Sequence, residues 1–305
     1  MSDVSQARPA RSRRRRMILP YVLSLPALLV CIGILIPFFA SAIYSLQRYN
    51  LAFPMGRAFI WFGNYVSFLS DPSFWNTVEV SATYTVATVG IELVLGLAIA
   101  MLLRERSLIN NVISVALLLP LMTAPALASL MWKLMTNPGF GVLSWLLSLL
   151  GFSHFKWASD PHTAMLTVVL VDVWVYTPFI MILLLAGLRS LPPAPFEAAR
   201  LDGVAPHFVF FRITLPMLSP YIITALLFRL LDSIQQFDII YAMTQGGPGN
   251  SLMVFQVRAY LDFFQYTDVG RSAALMMVLW AITYFLSDRF VKHWHKLRER
   301  SHGNA

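Results

Sequence analysis

Ionisable side chains inside long apolar runs are costly in a bilayer and usually face a cavity or one another. In one such run Arg229, Asp232, Ser233 and Gln236 recur at i, i+3, i+4 and i+7, which is one face of a helix. In another, Asp172, Tyr176 and Phe179 recur at i, i+4 and i+7, again one face. Pro178 has no backbone N–H, so the carbonyl of Trp174 loses its usual helical donor near that face. Carboxylates, an amide and a guanidinium give directional hydrogen bonds to hydroxyl groups, and the two rings give flat apolar surfaces. Two readings stand side by side. The stripes line a path for a polyhydroxylated solute, or Arg229 pairs with Asp232 within its helix while Asp172 bridges neighbouring helices. Arg229 with Asp232 nearby sums to roughly zero, which favours a neutral sugar or polyol over a phosphate. Glu92, deep in a third run, needs an interhelical partner that its own neighbourhood does not name. Glu79 lies near the end of that run.

Other chemistry finds no support. The lysines are Lys133, Lys156, Lys292 and Lys296, and none follows a glycine, so no Gly-x-x-x-x-Gly-Lys-Ser/Thr phosphate loop exists. The histidines are His154, His162, His207, His293, His295 and His302, and none forms a metal-ligand pair at helical spacing within an apolar run. The single cysteine, Cys31, sits in an apolar run, which excludes a disulfide framework and a thiolate metal site. No nucleophile–base pair stands out, so no catalytic residue and no metal or cofactor site is expected, and the chain reads as a non-enzyme.

The elements that must carry the stripes are membrane spans. Of 305 residues, 57% are hydrophobic and 12% charged, about half the charge of an ordinary soluble domain. Apolar runs of span length cover Met17 to Leu46 (tilted or kinked at Pro37), Val78 to Leu103, and Asn111 to Met135 with Pro120 and Pro125 inside it. Three more cover Ala164 to Leu188, Pro220 to Met243, and Ser272 to Val291, with Ser251 to Phe264 placed along the membrane surface. The organisation is therefore a basic tail (1–16), a membrane domain (17–291) holding a polar loop (190–216), and a second basic tail (292–305). Arg13 to Arg16 do not read as an export signal, because the following apolar run is longer than the roughly 7–15-residue core of one. Six spans place both termini on one side. That side carries sixteen of the Lys and Arg residues against six in the opposite loops, with Arg229 inside a span. The positive-inside bias then puts both termini and the loop 190–216 in the cytoplasm. The net charge of +8 serves that orientation and gives no nucleic-acid surface.

The loop has a pattern of its own. Pro195 suits the first turn of a short helix and Glu197 complements the dipole there. Ala198 and Ala199 favour helix, and Gly203 is suited to end it in a left-handed conformation. A short helix from Pro195 to Leu201, outside the bilayer, follows.

Glu197-Ala198-Ala199, Gly203 six residues after the Glu, and Ile213-x-Leu215-Pro216 ten residues further on resemble the cytoplasmic signature loop of ABC importer permeases. Asp202 beside Gly203, Trp174 to Phe179, Phe237 to Tyr241 and Gly246-Gly247-Pro248-Gly249-Asn250 are similar to the carbohydrate-uptake branch, the maltose, trehalose and glycerol-phosphate type. The likeness runs from about Leu19 to Phe290. It implies an all-α polytopic protein of type I importer fold in a bacterial inner membrane, with a coupling helix carrying Glu197, Ala198, Ala199, Asp202 and Gly203. It also implies a second, homologous permease, a cytoplasmic ATPase dimer that binds ATP and Mg, and a periplasmic or extracellular solute-binding protein meeting the outer loops near Gly246 to Asn250. The cargo would be a small oligosaccharide or polyol, with an anionic sugar derivative such as a glycerol phosphate or sulfonated glycoside as the alternative. In that branch sugar contacts come from positions matching Asp172, Tyr176, Phe179, Arg229, Asp232, Ser233 and Gln236. An ATP-independent secondary transporter is the reading of another class; such proteins carry internal repeats, and none is visible here.

Overall fold

A computed structural model describes residues 11–152 and 155–302, and the side chains within 23–292 apart from 153–154. Residues 1–10 and 303–305 of the two tails, and His154, lie outside the described residues.

The helices are α1 (Arg11–Ser45), α2 (Gly63–Leu69), α3 (Pro72–Leu102), α4 (Leu108–Leu117), α5 (Pro125–Met135), α6 (Val142–Leu149) and α7 (Pro161–Ser190). They continue as α8 (Ala194–Leu201), α9 (Pro206–Val209), α10 (Leu215–Ile234), α11 (Asp238–Thr244), α12 (Phe255–Phe264) and α13 (Val269–His302). A two-stranded ribbon, β1 (Gln47–Arg48) with β2 (Ala58–Phe59), closes the loop after α1.

Local chemistry sets several boundaries. Asp71 and Asp160 each cap a helix by accepting from the N–H two residues on, at 2.9 Å in both, with a proline supplying the first helical position. These caps begin α3 at Pro72 and α7 at Pro161, earlier than the apolar runs alone indicate, because polar capping residues lie outside a run by nature. The third span is not one rod. Pro125 has no N–H to give and leaves Ala124 extended (ψ 128), so the run Leu108–Met122, made of α4 and the turn Pro120–Met122, meets α5 at 92°. The fifth span ends at Ile234 rather than Met243. There the Gln236 side chain accepts the N–H of Phe237 at 3.1 Å, and α11 starts as a separate helix. The segment after Ser251 carries α12, which buries Phe255 and Ala259 against α3 and α13. The first helix continues through Pro37.

Neighbouring contacts give the threading. Gly96 of α3 lies against Ile180 of α7, and further along Arg189 donates to the Leu103 carbonyl at 2.9 Å, so α3 and α7 run parallel. Parallel neighbours require a return crossing between them, and the bent pair α4–α5 supplies it. Five helices among the described residues are long and apolar enough to span, six with that pair. Helix α10 runs antiparallel to α7, with Leu218 and Tyr221 at Gly187 and Arg229 at Asp172. Helix α13 runs antiparallel to α1, with Gly270 at β1 and Trp280 against Phe38. One end of the bundle therefore carries α8 and both terminal helix ends; the other carries the ribbon, α2, α6, α11 and α12.

Packing is closest where glycine sits. A Cβ on Gly96 would lie 2.8 Å from Ile180 Cγ2, and one on Gly187 would lie 2.6 Å from Tyr221 Cγ. Gly96 lets α3 approach the α7 backbone at Met181, and Gly187 leaves room on α7 for the Leu218 and Tyr221 side chains of α10, where dispersion replaces the hydrophobic drive absent in lipid. Gly187→Val is expected to cost about 1–3 kcal/mol by overpacking. Gly90→Ala, where no atom lies within 4 Å of the new Cβ, should cost nothing. Thermal unfolding of both variants in detergent checks the contrast, and equal midpoints would refute it.

Candidate functional site

The polar stripes converge on one guanidinium. Arg229 is 1% exposed and sits where α3, α7 and α10 meet. Its Nε donates to Glu92 Oε2 at 2.6 Å and its Nη2 to Glu92 Oε1 at 2.8 Å, the bidentate geometry that suits a planar fork. Nη2 also donates to Asp172 Oδ2 at 2.5 Å, and Nη1 donates to Asp232 Oδ2 at 2.6 Å. The face of the guanidinium lies 4.1 Å from the centre of the Tyr176 ring. Gln236 donates from Nε2 to the remaining Asp172 oxygen at 3.1 Å, and Ser233 shares a 3.0 Å hydrogen bond with Thr88 of α3.

Three carboxyl groups thus face one guanidinium, so the near-zero balance expected for Arg229 with Asp232 alone gives way to an acidic cluster. Arg229 is the interhelical partner of Glu92. Both readings of the stripes find residues here. Asp172, Ser233 and Gln236 are buried between helices. Asp232 is 53% exposed at its side chain, Tyr176 and Phe179 are half-buried, and Phe179 meets the exposed Phe228 edge to face at 6.4 Å. The α3 part of the cluster carries its own signal in the sequence, a polar stripe of Thr85, Thr88 and Glu92 at i, i+3 and i+7 in a span otherwise apolar. Glu79 is exposed.

The loop helix lies at the opposite end of α7 and α10 from Asp232. α8 starts one residue before Pro195, with Glu197 in its first turn. It ends in a complete Schellman closure. Val204 N–H donates to the Ala199 carbonyl at 3.0 Å and Gly203 N–H to Arg200 at 3.2 Å, with Gly203 at φ +66°. Phe196 and Ala199 face inward, and the Arg104 guanidinium covers the Phe196 ring at 4.4 Å. Glu197, Ala198, Arg200, Leu201, Asp202 and Gly203 are exposed. Arg189 ties the end of α7 to the turn after α3, and Ser190 bonds Tyr221 of α10 at 2.7 Å. Through Phe196, α8 meets Arg104 in the turn after α3, beside the end of α7 that these bonds tie to α3 and α10. Among the described residues no group of His, Cys, Asp and Glu is placed to hold a metal ion.

Residues 92–297 match the family described as "Binding-protein-dependent transport system inner membrane component". The chain is 33% identical, over 93% of its length and 96% of the relative's, to a trehalose/maltose transport system permease protein of Thermococcus litoralis. It is 31% identical, over 91% and 90%, to a sulfoquinovosyl glycerol transport system permease protein of Agrobacterium fabrum. Among solved structures it resembles a chain of a bacterial ABC transporter involved in the import of the acidic polysaccharide alginate. The TM-score there is 0.80 at 18% identity, over 94% of this chain and 99% of that one.

Removing one member of a buried ion cluster leaves its partners uncompensated. Arg229→Met is expected to cost about 3–5 kcal/mol of stability. Adding Glu92→Gln should recover part of that loss, because one orphaned charge goes with it. Thermal unfolding of the single and double variants measures this. A single variant as stable as the parent would show the cluster is not what joins the helices.

Proposed function

From the premise that this chain belongs to the binding-protein-dependent transport system inner membrane component family, and is a permease subunit of an ABC sugar importer with the type I fold, we propose that it forms half of a translocation path for a neutral sugar. It is a multi-pass membrane protein, and that membership leaves the secondary-transporter reading without support.

The α8 end faces the cytoplasm in this reading, as the sixteen-to-six bias of basic residues supports. The single observation that carries the coupling role is the form of α8. It is a helix closed at its C-terminus, anchored inward by Phe196 and Ala199, and presenting Glu197, Ala198 and Arg200 outward. A rigid helix with an exposed charge is suited to seat in a separate ATPase, which would bind the ATP and Mg for which this chain has no phosphate loop. Its other partners are a second, homologous permease, the surrounding lipid, and a solute-binding protein on the far side, meeting the turn Gly246 to Asn250.

Asp232, Tyr176 and Phe179, the accessible members of the two stripes, contact the sugar, and Asp172, Ser233, Gln236 and Arg229 hold them in place. An anionic cargo is disfavoured because Arg229 already gives Nε, Nη1 and Nη2 to three carboxyl groups, leaving no free edge for a phosphate or sulfonate. A disaccharide, other small glycoside or polyol fits better.

Glu197→Lys is expected to leave the importer assembled in the membrane with basal ATP hydrolysis, but to remove substrate uptake. Transport into vesicles alongside ATP turnover measures this. Uptake at the parental rate in the variant would take the coupling role away from α8.

A further inference from the structure

At the end of the bundle opposite α8, a cavity of about 390 Å³ opens between the start of α3, α12 and the start of α13. Its wall is a network of charged groups. Asp71, the cap of α3, accepts from Arg258 at 2.7 Å and also from Arg271. Arg258 further donates to Thr77 at 3.1 Å. Asp268 caps the start of α13 by accepting the Arg271 N–H at 2.9 Å. These bonds occupy Asp71, Arg258 and Asp268. Asp262 is different. It is 7% exposed, lines the cavity, and its Oδ2 is buried without a hydrogen-bond partner, the nearest cation being Arg271 Nε at 3.8 Å. A buried carboxylate oxygen without a donor costs on the order of 1–3 kcal/mol or more.

The surroundings narrow what could supply the donor. A cation would meet Arg258 and Arg271, and an anion would meet Asp262 and Asp268. A neutral hydroxyl group can donate to Asp262 and accept from Arg271 at once. Asn250 and Ser73 add polar atoms on the cavity wall, and the exposed ring of Tyr266 adds a flat apolar surface. The size is within the roughly 300–1,000 Å³ of small-ligand pockets.

We propose that this cavity is a second binding site for a neutral polyhydroxylated solute, with Asp262 accepting a hydroxyl and Tyr266 stacking on the ring. The site is separate from the Arg229 cluster, and it extends the reading of the chain as half of a sugar path. The test separates the two. Burial pushes the Asp262 carboxyl up to about 6, against the pull of Arg271 and Arg258 and with Asp268 and Asp71 adding to the rise. A hydroxyl donor favours the ionised form, so occupancy falls as pH drops through that value.

The full chain in lipid nanodiscs, probed with trehalose, maltose and glycerol by saturation-transfer NMR, tests this. The expected result is binding of at least one probe, weakened about tenfold by Asp262→Leu. Tyr266→Ala, a surface change, should weaken it several-fold, Leu102→Ala, an exposed change at the α8 end of α3, should leave it unchanged, and it should decline from about pH 7.5 to about pH 5. Absence of transfer to all three probes would overturn the proposal, showing that water alone fills the cavity. Binding that ignores both Asp262→Leu and Tyr266→Ala would overturn it too; if that binding is then lost in Tyr176→Ala, the central path stands without a second site.

Discussion

The buried guanidinium of Arg229 is the constraint on which the bundle turns. A cation in the interior of a membrane protein is tolerable only with its N–H groups paired, and three carboxyl groups from three helices do that here. The consequence is geometric. Glu92 fixes α3 to α10 in a bidentate fork, Asp172 fixes α7, and Gln236 holds Asp172 from its other side. Helices joined by directional bonds in lipid have few alternative registers, because a one-residue slip would strand a charge.

Close approach of the helices makes those bonds possible. Gly96 and Gly187 lie between the cluster and the α8 end of the bundle, and each leaves space that a side chain would fill. Beyond them Arg189 and Ser190 link α7 to the turn after α3 and to α10, and Arg104 covers Phe196 of α8. Through Arg104 the loop helix meets a three-helix body whose far part carries Asp232, Tyr176 and Phe179. In the coupling proposed for α8, motion there would pass through Arg104 and the packed α3, α7 and α10 to those residues.

How much of this was legible in the sequence depended on the range of each interaction. The loop helix was readable to within one residue, because the proline start, the first-turn carboxylate and the Gly203 closure are all local. The stripes were readable as helix faces for the same reason. The partner of Glu92 was not, since Arg229 is 137 positions away and only the fold brings the two together. That missing pairing also hid the acidic character of the cluster, which had looked neutral from Arg229 and Asp232 alone. Hydropathy misjudged the third and fifth spans because it does not weigh backbone donors. Pro125 bends one, and the Gln236 side chain ends the other by taking the N–H of Phe237. The orphaned oxygen of Asp262 was likewise invisible, being a property of three elements packed together.

The coupling proposed for α8 requires α3, α7, α10 and α8 to move as one body. Pulsed electron–electron distance measurement in the assembled importer tests it most directly. The native Cys31, which is exposed, would be replaced, and spin labels placed at Val86 on α3 and at Leu201 at the end of α8, both exposed positions. The account predicts a single distance distribution that stays unchanged between nucleotide-free and ATP-trapped states, and that broadens in Arg229→Met. A distribution in the parent protein that shifts or splits on ATP trapping would contradict it, because α8 would then move independently of the helices that hold the cluster.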